Sequence, residues 1–345
     1  MLLLADNLQA QNPLFKKWTV QELVKGGRID AIADLGNGIV VAGTRKPNPG
    51  KIFRSENFGK AWNLIQNIAD TSGLGSITCI VEGKNKTAYL LTAEGTFWRS
   101  KDNSISWKYI NTITINKNKN GFAATYSIMV TDKNTILVSD TDSEGGHIYR
   151  SENEGDTWTD MGKISSKGLY RFTDAGKGII VNGWEGKVYI SYSDGKYWQV
   201  SGNLENNSPI WATEYMGASL AIQASKKGNI YVGDISTNKW NKVAALNGAA
   251  DDFAYLGNGS VIYSTGPLGP VQKDIYLSLD YGKTWQNIGS VATKTDDDWL
   301  DHVIAMPTSN KIICIGGTGK GFIVRTEFDK TKLYHLKLSS VRKRQ

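Results

Sequence analysis

Tryptophan recurs along this 345-residue chain at a nearly constant spacing. The six members of the series are Trp62, Trp107, Trp158, Trp198, Trp240 and Trp285. Consecutive members are 45, 51, 40, 42 and 45 residues apart, and a step of 44 residues back from the first reaches Trp18. A repeat of this length is typical of a propeller blade made of four strands.

Short β-branched runs lie at corresponding positions of the repeats, and each follows a turn signal. Ile136–Ser139 follows Lys133-Asn134, and Ile179–Asn182 follows a Gly-Lys-Gly turn. Such runs predict strands, and no stretch has a sustained helical period. The repeats therefore predict an all-β fold, a seven-bladed β-propeller of four-stranded antiparallel blades.

An eight-residue string ends in five of the tryptophans. It begins with Ser, has Asp, Asn or Ser at its third position, and in four copies has Gly at its fifth. The copies are Ser55–Trp62, Ser100–Trp107, Ser151–Trp158, Ser191–Trp198 and Ser278–Trp285. The string resembles the Asp-box, or bacterial neuraminidase repeat, of the sialidase-like superfamily of β-propellers. Weaker copies contain Gly233-Asp234 and Thr326-Glu327.

We interpret the string as structural. Its polar third residue can hydrogen-bond the turn backbone, and Gly can adopt the positive φ that the turn needs. The string is expected to close the hairpin between the third and fourth strands, with Trp packed between neighbouring sheets. The resemblance places such boxes at the blade periphery, away from any active centre.

The seventh blade has two candidates for its outer strand, Trp18–Leu23 and Leu333–Lys337. We favour the N-terminal strand because Trp18 keeps both the period and the residue type. Pairing the two chain ends would close the ring and remove open edges. We predict a tail or signal-peptide remnant over residues 1–14, a single propeller over 15–338 and a basic tail over 339–345.

Charge and composition exclude several classes. The 40 Lys and Arg residues exceed the 33 Asp and Glu residues by 7, but the lysines are scattered and form no nucleic-acid-binding patch. No apolar run approaches the roughly 18 residues that a membrane span needs. Cys79 and Cys314 lie far apart in apolar runs and indicate free thiols. We expect a monomer with no nucleic-acid partner, membrane insertion, metal or cofactor.

The apolar start Met1–Ala5 resembles the core of a signal peptide, although the positive region is missing and Asp6 interrupts the run. We expect a secreted or extracytoplasmic protein. An ordinary N-terminal tail is the alternative interpretation.

The resemblance implies a site on the propeller axis, built from the starts of the innermost strands and from loops that follow the second strands. These positions carry stacking aromatic rings, carboxylates and arginines, which suit sugars, especially acidic ones. The predicted substrate-binding residues are Arg28, Arg45, Arg171, Tyr170, Trp211, Trp184 and Trp299. The predicted catalytic residues are Asp252, Asp301, His302 and Glu214.

Arg28 and Arg45 resemble the arginines at the opening of a sialidase sequence. Asp30 replaces the expected proline, however, and the loop Thr44–Gly50 lacks the acid/base aspartate, which argues against an authentic sialidase. Paired carboxylates suit a glycoside hydrolase, and His302 suits a base for uronate elimination. We predict binding and cleavage of a glycan in the central funnel. The alternative is a non-catalytic propeller that binds a glycan or a protein, and the sequence leaves both open.

Overall fold

The computed structural model describes most of the chain between residues 14 and 333. The described ranges are 14–16, 18–46, 49–68, 75–113, 124–141, 145–266, 273–291, 300, 302–306, 310–316, 320–329 and 331–333. They contain almost no helix. Within them, no helix has the length and hydropathy that a membrane crossing requires.

Twenty-eight strands occupy the described residues. The first fourteen are β1 (Thr19–Lys25), β2 (Arg28–Asp34), β3 (Val40–Lys46), β4 (Gly50–Ser55), β5 (Asn63–Ile68), β6 (Ile77–Glu82), β7 (Ala88–Thr92), β8 (Thr96–Ser100), β9 (Lys108–Thr112), β10 (Ala124–Val130), β11 (Ile136–Thr141), β12 (Gly146–Ser151), β13 (Thr159–Ser165) and β14 (Leu169–Asp174). The remainder are β15 (Ile179–Gly183), β16 (Lys187–Ser191), β17 (Gln199–Asn203), β18 (Ile210–Gly217), β19 (Leu220–Ser225), β20 (Asn229–Asp234), β21 (Lys239–Ala245), β22 (Ala249–Gly257), β23 (Ser260–Gly266), β24 (Lys273–Ser278), β25 (Gln286–Val291), β26 (His302–Met306), β27 (Lys311–Gly316) and β28 (Lys320–Glu327).

These strands form seven four-stranded antiparallel sheets, so the predicted seven-bladed propeller is confirmed. Blades 1 to 6 each use four consecutive strands, starting with β2–β5 and ending with β22–β25. The first strand of each blade contacts the first strand of the next, and β26 contacts β2, which closes the ring around the axis. These first strands and β26 are the inner strands.

Blade 7 joins the two ends of the chain. Its sheet has the order β1-β28-β27-β26, with Thr19 opposite Arg325 and Val20 opposite Val324. Trp18, which precedes β1, is only 1% exposed and belongs to the core cluster beneath this sheet. The N-terminal strand thus covers an edge of β28 that would otherwise be open. Apart from Leu14, the predicted tails lie outside the described residues, and the domain bounds stay a prediction.

The eight-residue strings close the hairpins between third and fourth strands, as predicted. In blade 1, the Gly59 amide donates to Ser55 Oγ over 2.9 Å, and the Ala61 amide donates to Asn57 Oδ1 over 2.8 Å. Gly59 has a φ of 74°, which L side chains rarely adopt. The amide of the fifth residue donates to the Ser hydroxyl in the other four copies as well. The strings lie on the blade periphery, away from the inner strands that position the site.

The core lies between neighbouring sheets. Phe97 of blade 2 packs against Trp158 of the next blade, with ring centroids 5.1 Å apart in an edge-on arrangement. Leu90 and Ile136 are completely buried in two such inter-blade clusters. The hydrophobic core is built between the sheets. Side chains at the axial starts of the inner strands are therefore not needed for it and can form a site.

Candidate functional site at the axis

A cavity of about 310 Å³ lies where the inner strands begin. We call it the upper pocket. Its lining consists of Arg28, Asp30, Arg45, Thr78, Tyr170, Arg171, Trp211, Ala250, Asp251 and His302. These residues come from blades 1, 2, 4, 5, 6 and 7, so the pocket exists only in the closed ring.

Bulges at the starts of the inner strands aim these side chains at the axis. On β18 the pairing passes from Ile210 to Ala212 and skips Trp211, and on β22 it skips Asp251. Thr78 is skipped in the same way on β6, and Asp30 on β2. A bulge residue has no partner in the ladder and re-aims its side chain. Four residues of the upper pocket, Asp30, Thr78, Trp211 and Asp251, are therefore ones that sheet pairing does not use.

Two arginines of blade 1 hold one carboxylate. Arg28 Nε lies 2.5 Å from Asp30 Oδ1, and Arg45 Nη1 lies 3.2 Å from Asp30 Oδ2. Asp30 is buried, whereas the Arg28 and Arg45 side chains are 28% and 33% exposed. A guanidinium carries five N–H donors, so both groups can bind Asp30 and still present donors to the pocket.

A second ionic group forms the floor of the pocket. Arg171 Nη1 lies 2.5 Å from Asp252 Oδ1, and His302 Nδ1 lies 3.4 Å from Asp252 Oδ2, which also accepts from the Val303 amide over 3.2 Å. Burial alone would raise the pKa of Asp252, but Arg171 and His302 lower it below its usual value. Burial and Arg171 lower the pKa of His302. The floor therefore holds a charged Arg171–Asp252 pair with a neutral imidazole.

Aromatic rings form one wall. Tyr170 stacks on Trp184, with centroids 5.4 Å apart and an 18° angle between the rings, and lies 6.1 Å from the ring of Trp211. The exposed Lys226 places its Nζ 5.1 Å from the Trp211 ring centroid. Tyr170 and Trp211 line the pocket, while Trp184 supports Tyr170. This wall suits an apolar or planar ligand group.

A second cavity, of about 350 Å³, lies further along the same inner strands. We call it the lower cavity. It shares Thr78, Arg171 and His302 with the upper pocket, and these three residues lie between the two spaces. Glu214 lines the lower cavity, where burial and the neighbouring Asp252 raise its pKa to about 8 against the opposing effect of the Tyr255 amide.

The predicted site residues divide between these spaces. Five predicted substrate-binding residues line the upper pocket, namely Arg28, Arg45, Tyr170, Arg171 and Trp211. Of the predicted catalytic residues, His302 lines both spaces, whereas Asp252 and Glu214 line the lower cavity. Asp301 and Trp299 lie outside the described residues. The described candidate acids and bases are therefore not gathered around the upper pocket.

Thr78, Asp30 and Asp251 line the upper pocket but were not among the predicted site residues. The signal that finds them is a break in side-chain alternation: Thr78 and Asp251 are polar residues inserted where their strands enter the core. Nothing in the sequence indicates the position of Lys226 over Trp211. In the part of the chain that the structure describes, no three His, Cys, Asp or Glu side chains are grouped so as to hold a metal ion.

Comparisons with known proteins agree with the architecture. The model of a β-propeller family described as "Sortilin, neurotensin receptor 3" matches residues 50–181. A solved structure described as "YCF48 bound to D1 peptide" has a TM-score of 0.69 and 13% identity, with 94% of this chain and 99% of that chain covered. The chain is a seven-bladed β-propeller. YCF48 from Cyanidioschyzon merolae has a TM-score of 0.65 and 14% identity, with 90% of this chain and 98% of that chain covered. No curated protein matches the chain.

At these identities the two solved structures are similar to this propeller in fold alone. The family model spans a little over a third of the chain, from β4 to β15. The geometry of the axis therefore has to carry the functional argument.

Proposed function

We propose that this propeller is a non-catalytic binding protein that holds a peptide at the upper pocket through a carboxylate of the peptide. The observation that carries the proposal is the sharing of Asp30 by Arg28 and Arg45. The group of Arg28, Arg45 and Asp30 carries a net charge of +1, and the other carboxylate of the lining, Asp251, acts on Arg171. A second carboxylate, supplied by a ligand, would balance that charge.

Preorganisation favours this mode of binding. Asp30 already orients both guanidinium groups, so little side-chain entropy remains to be lost when a ligand carboxylate binds. The wall of Tyr170 and Trp211 offers an apolar surface beside the charged rim. A peptide with a carboxylate next to an apolar or aromatic side chain matches this combination. One structurally similar propeller is described as bound to a peptide, which supports the same class of ligand.

The contacts that the candidate catalytic groups already make within the protein also favour binding over cleavage. Asp252 contacts Arg171, His302 and the Val303 amide, and therefore has little freedom to act as a base or nucleophile. The raised pKa of Glu214 would suit a general acid, but this residue lines the lower cavity rather than the upper pocket. Glycoside hydrolysis needs two carboxylates on either side of one bond.

An acidic glycan is the second candidate ligand, because the stacked Tyr170 and Trp184 rings resemble the platforms on which sugars bind. We also infer that the strings are Asp-boxes in the sense of the sialidase-like superfamily. The hydrogen bonds that the Ser hydroxyl and the third residue make in each turn support this.

The test screens the purified protein against a peptide array in free-acid and amidated forms, with an acidic glycan array in parallel. We expect free-acid peptides to bind and their amides to bind at least tenfold more weakly. For the best peptide, Arg45→Gln should weaken binding roughly 30-fold, equivalent to about 2 kcal/mol. Lys101→Gln removes the same charge from the blade periphery and should leave affinity unchanged.

Arg28→Lys separates ligand binding from support of the strand. Lys keeps the charge but cannot offer a planar two-donor fork, so affinity should fall while the fold survives. Unchanged affinity with a lower melting temperature would mean that Arg28 only pins β2 through Asp30. Binding of glycans alone, with cleaved product, would replace the proposal with the enzymatic one.

A further inference from the structure

The lower cavity is separate from the site proposed above. Residues further along the inner strands line it, including Ile32 on β2, Ile80 on β6 and Phe253 on β22. The layer of Thr78, Arg171 and His302 lies between it and the upper pocket. Its volume of about 350 Å³ far exceeds the roughly 10–15 Å³ that one water needs. A small organic ion with several waters can therefore fit.

Two carboxyl groups of its lining make no ion pair among the described residues. Arg171 is paired with Asp252, and the lowered pKa of His302 leaves its ring neutral at pH 7. Glu214 and Asp174 remain, and neither forms an ion pair with a basic side chain in the described part of the chain. Glu214 lies within the cavity, and Asp174 lies at its exposed edge.

Three aromatic residues also line the cavity, namely Phe172 on β14, Tyr215 on β18 and Phe253 on β22. Aromatic faces attract alkylammonium ions through the ring quadrupole. Carboxylates attract the same ions through charge and hydrogen bonding.

We propose that the lower cavity is a binding site for a primary alkylammonium group, either a small amine or the side chain of a lysine on a partner. The ammonium group binds between Glu214 and Asp174, and its methylene chain packs against Phe172, Tyr215 and Phe253. The site is independent of the carboxylate site in the upper pocket.

The protonation of Glu214 gives this binding a measurable signature, the release of a proton. The charged groups around it are Asp252, with Arg171 and His302 behind that carboxylate, and Asp174 at the cavity edge. Because the pKa of Glu214 is raised to about 8, most of this residue is protonated at pH 7 in the empty protein. A bound cation favours the ionised form and lowers that pKa. Binding at pH 7 should therefore release about one proton per cation.

The experiment titrates the full chain with n-butylammonium chloride at pH 7, followed by ligand-observed NMR. A parallel titration uses n-butanol, which has the same length and no charge. We expect saturable binding of the amine and at least fivefold weaker binding of the alcohol. Proton release is measured with a pH indicator in weakly buffered solution and needs no variant. Equal binding of amine and alcohol, or no proton release, would overturn the proposal.

Glu214→Gln should weaken amine binding about tenfold. Glu82→Gln removes a carboxylate at the end of β6, outside the cavity lining, and should change affinity less than twofold. Amine binding retained in Glu214→Gln refutes the assignment. Nα-acetyl-lysine methylamide distinguishes the two sources: its binding indicates a lysine side chain, and binding of butylammonium alone indicates a free amine. Peptide binding at the upper pocket should be unchanged in Glu214→Gln, so either proposal can fail without the other.

Discussion

Glu214 should make the stability of the free protein fall as pH rises. Its pKa in the folded protein is about 8, raised by burial and by Asp252 from an ordinary value of 4.5. Between these two values the folded state holds a proton that the unfolded chain has released. The unfolded state then binds fewer protons, so the free energy of unfolding decreases with pH. The stabilisation that the protonated Glu214 gives the folded state is fully present below pH 4.5 and is lost by about pH 8.

The size of this change in the free energy of unfolding is set by the titration of one proton. A single group can change the free energy of unfolding by at most about 1.4 kcal/mol per pH unit. His302 has the opposite effect at lower pH, because its lowered pKa makes stability rise with pH up to its ordinary value of 6.5. This opposing effect fades between pH 6.5 and 7.5, and it is the same in a variant that changes only Glu214. Over this interval the expected loss from Glu214 is about 1 kcal/mol.

The assay is urea unfolding of the wild type and of Glu214→Gln at pH 6.5, 7.0 and 7.5. Gln cannot ionise, so the variant should lose about 1 kcal/mol less over this interval than the wild type. Glu22→Gln makes the same chemical change on an exposed side chain of the outermost strand and should keep the wild-type slope. Identical slopes for the wild type and Glu214→Gln would refute the reasoning.

Three further perturbations test the fold and the floor of the pocket. Trp18→Ala should cost about 3–5 kcal/mol in urea unfolding, because it empties a fully buried position at the closing strand; a loss under 1 kcal/mol would contradict closure through that strand. Asp252→Asn should cost about 3–5 kcal/mol by removing the carboxylate that pairs with Arg171, and the further change Arg171→Met should recover much of that loss; a double variant no more stable than the single one would contradict this. Gly155→Ala should cost about 2–4 kcal/mol, because φ is +87° and the new Cβ would lie 2.1 Å from the Phe97 ring; an unchanged melting temperature would contradict this.

The fold was predictable because five of the seven blades close the same hairpin with the same turn. A Ser hydroxyl and an Asp or Asn side chain satisfy the turn amides, and Gly155 supplies a backbone conformation that other residues rarely adopt. These requirements are local, so they leave a periodic trace in the sequence. The same period extended to Trp18 and indicated which chain end supplies the outer strand of blade 7.

The site was predictable only in part, because its residues do not repeat. Arg28, Tyr170 and Trp211 were found from their places at the starts of inner strands, and they line the upper pocket. Their partners were harder to find. The pairing of Arg171 on blade 4 with Asp252 on blade 6 spans the axis, and no local pattern relates the two positions. Glu214 was grouped with the residues of the upper pocket because the sequence shows which blade carries it. The sequence does not show how far along the axis its side chain lies, and it lines the lower cavity.

Depth along the axis decides which charges act together. At the top, Arg28 and Arg45 share Asp30, and this group of three has a net charge of +1. Below them, Arg171 and Asp252 neutralise each other in the layer between the two cavities. Under both proposals, ligands of opposite charge bind at opposite ends of the axis, and this neutral layer keeps the two sites from competing for the same groups. A variant that breaks the layer should therefore couple the two sites. Asp252→Asn removes one negative charge beside Arg171, so both spaces become more positive. Carboxylate binding above should strengthen and amine binding below should weaken, both measured with the titrations described for the two sites.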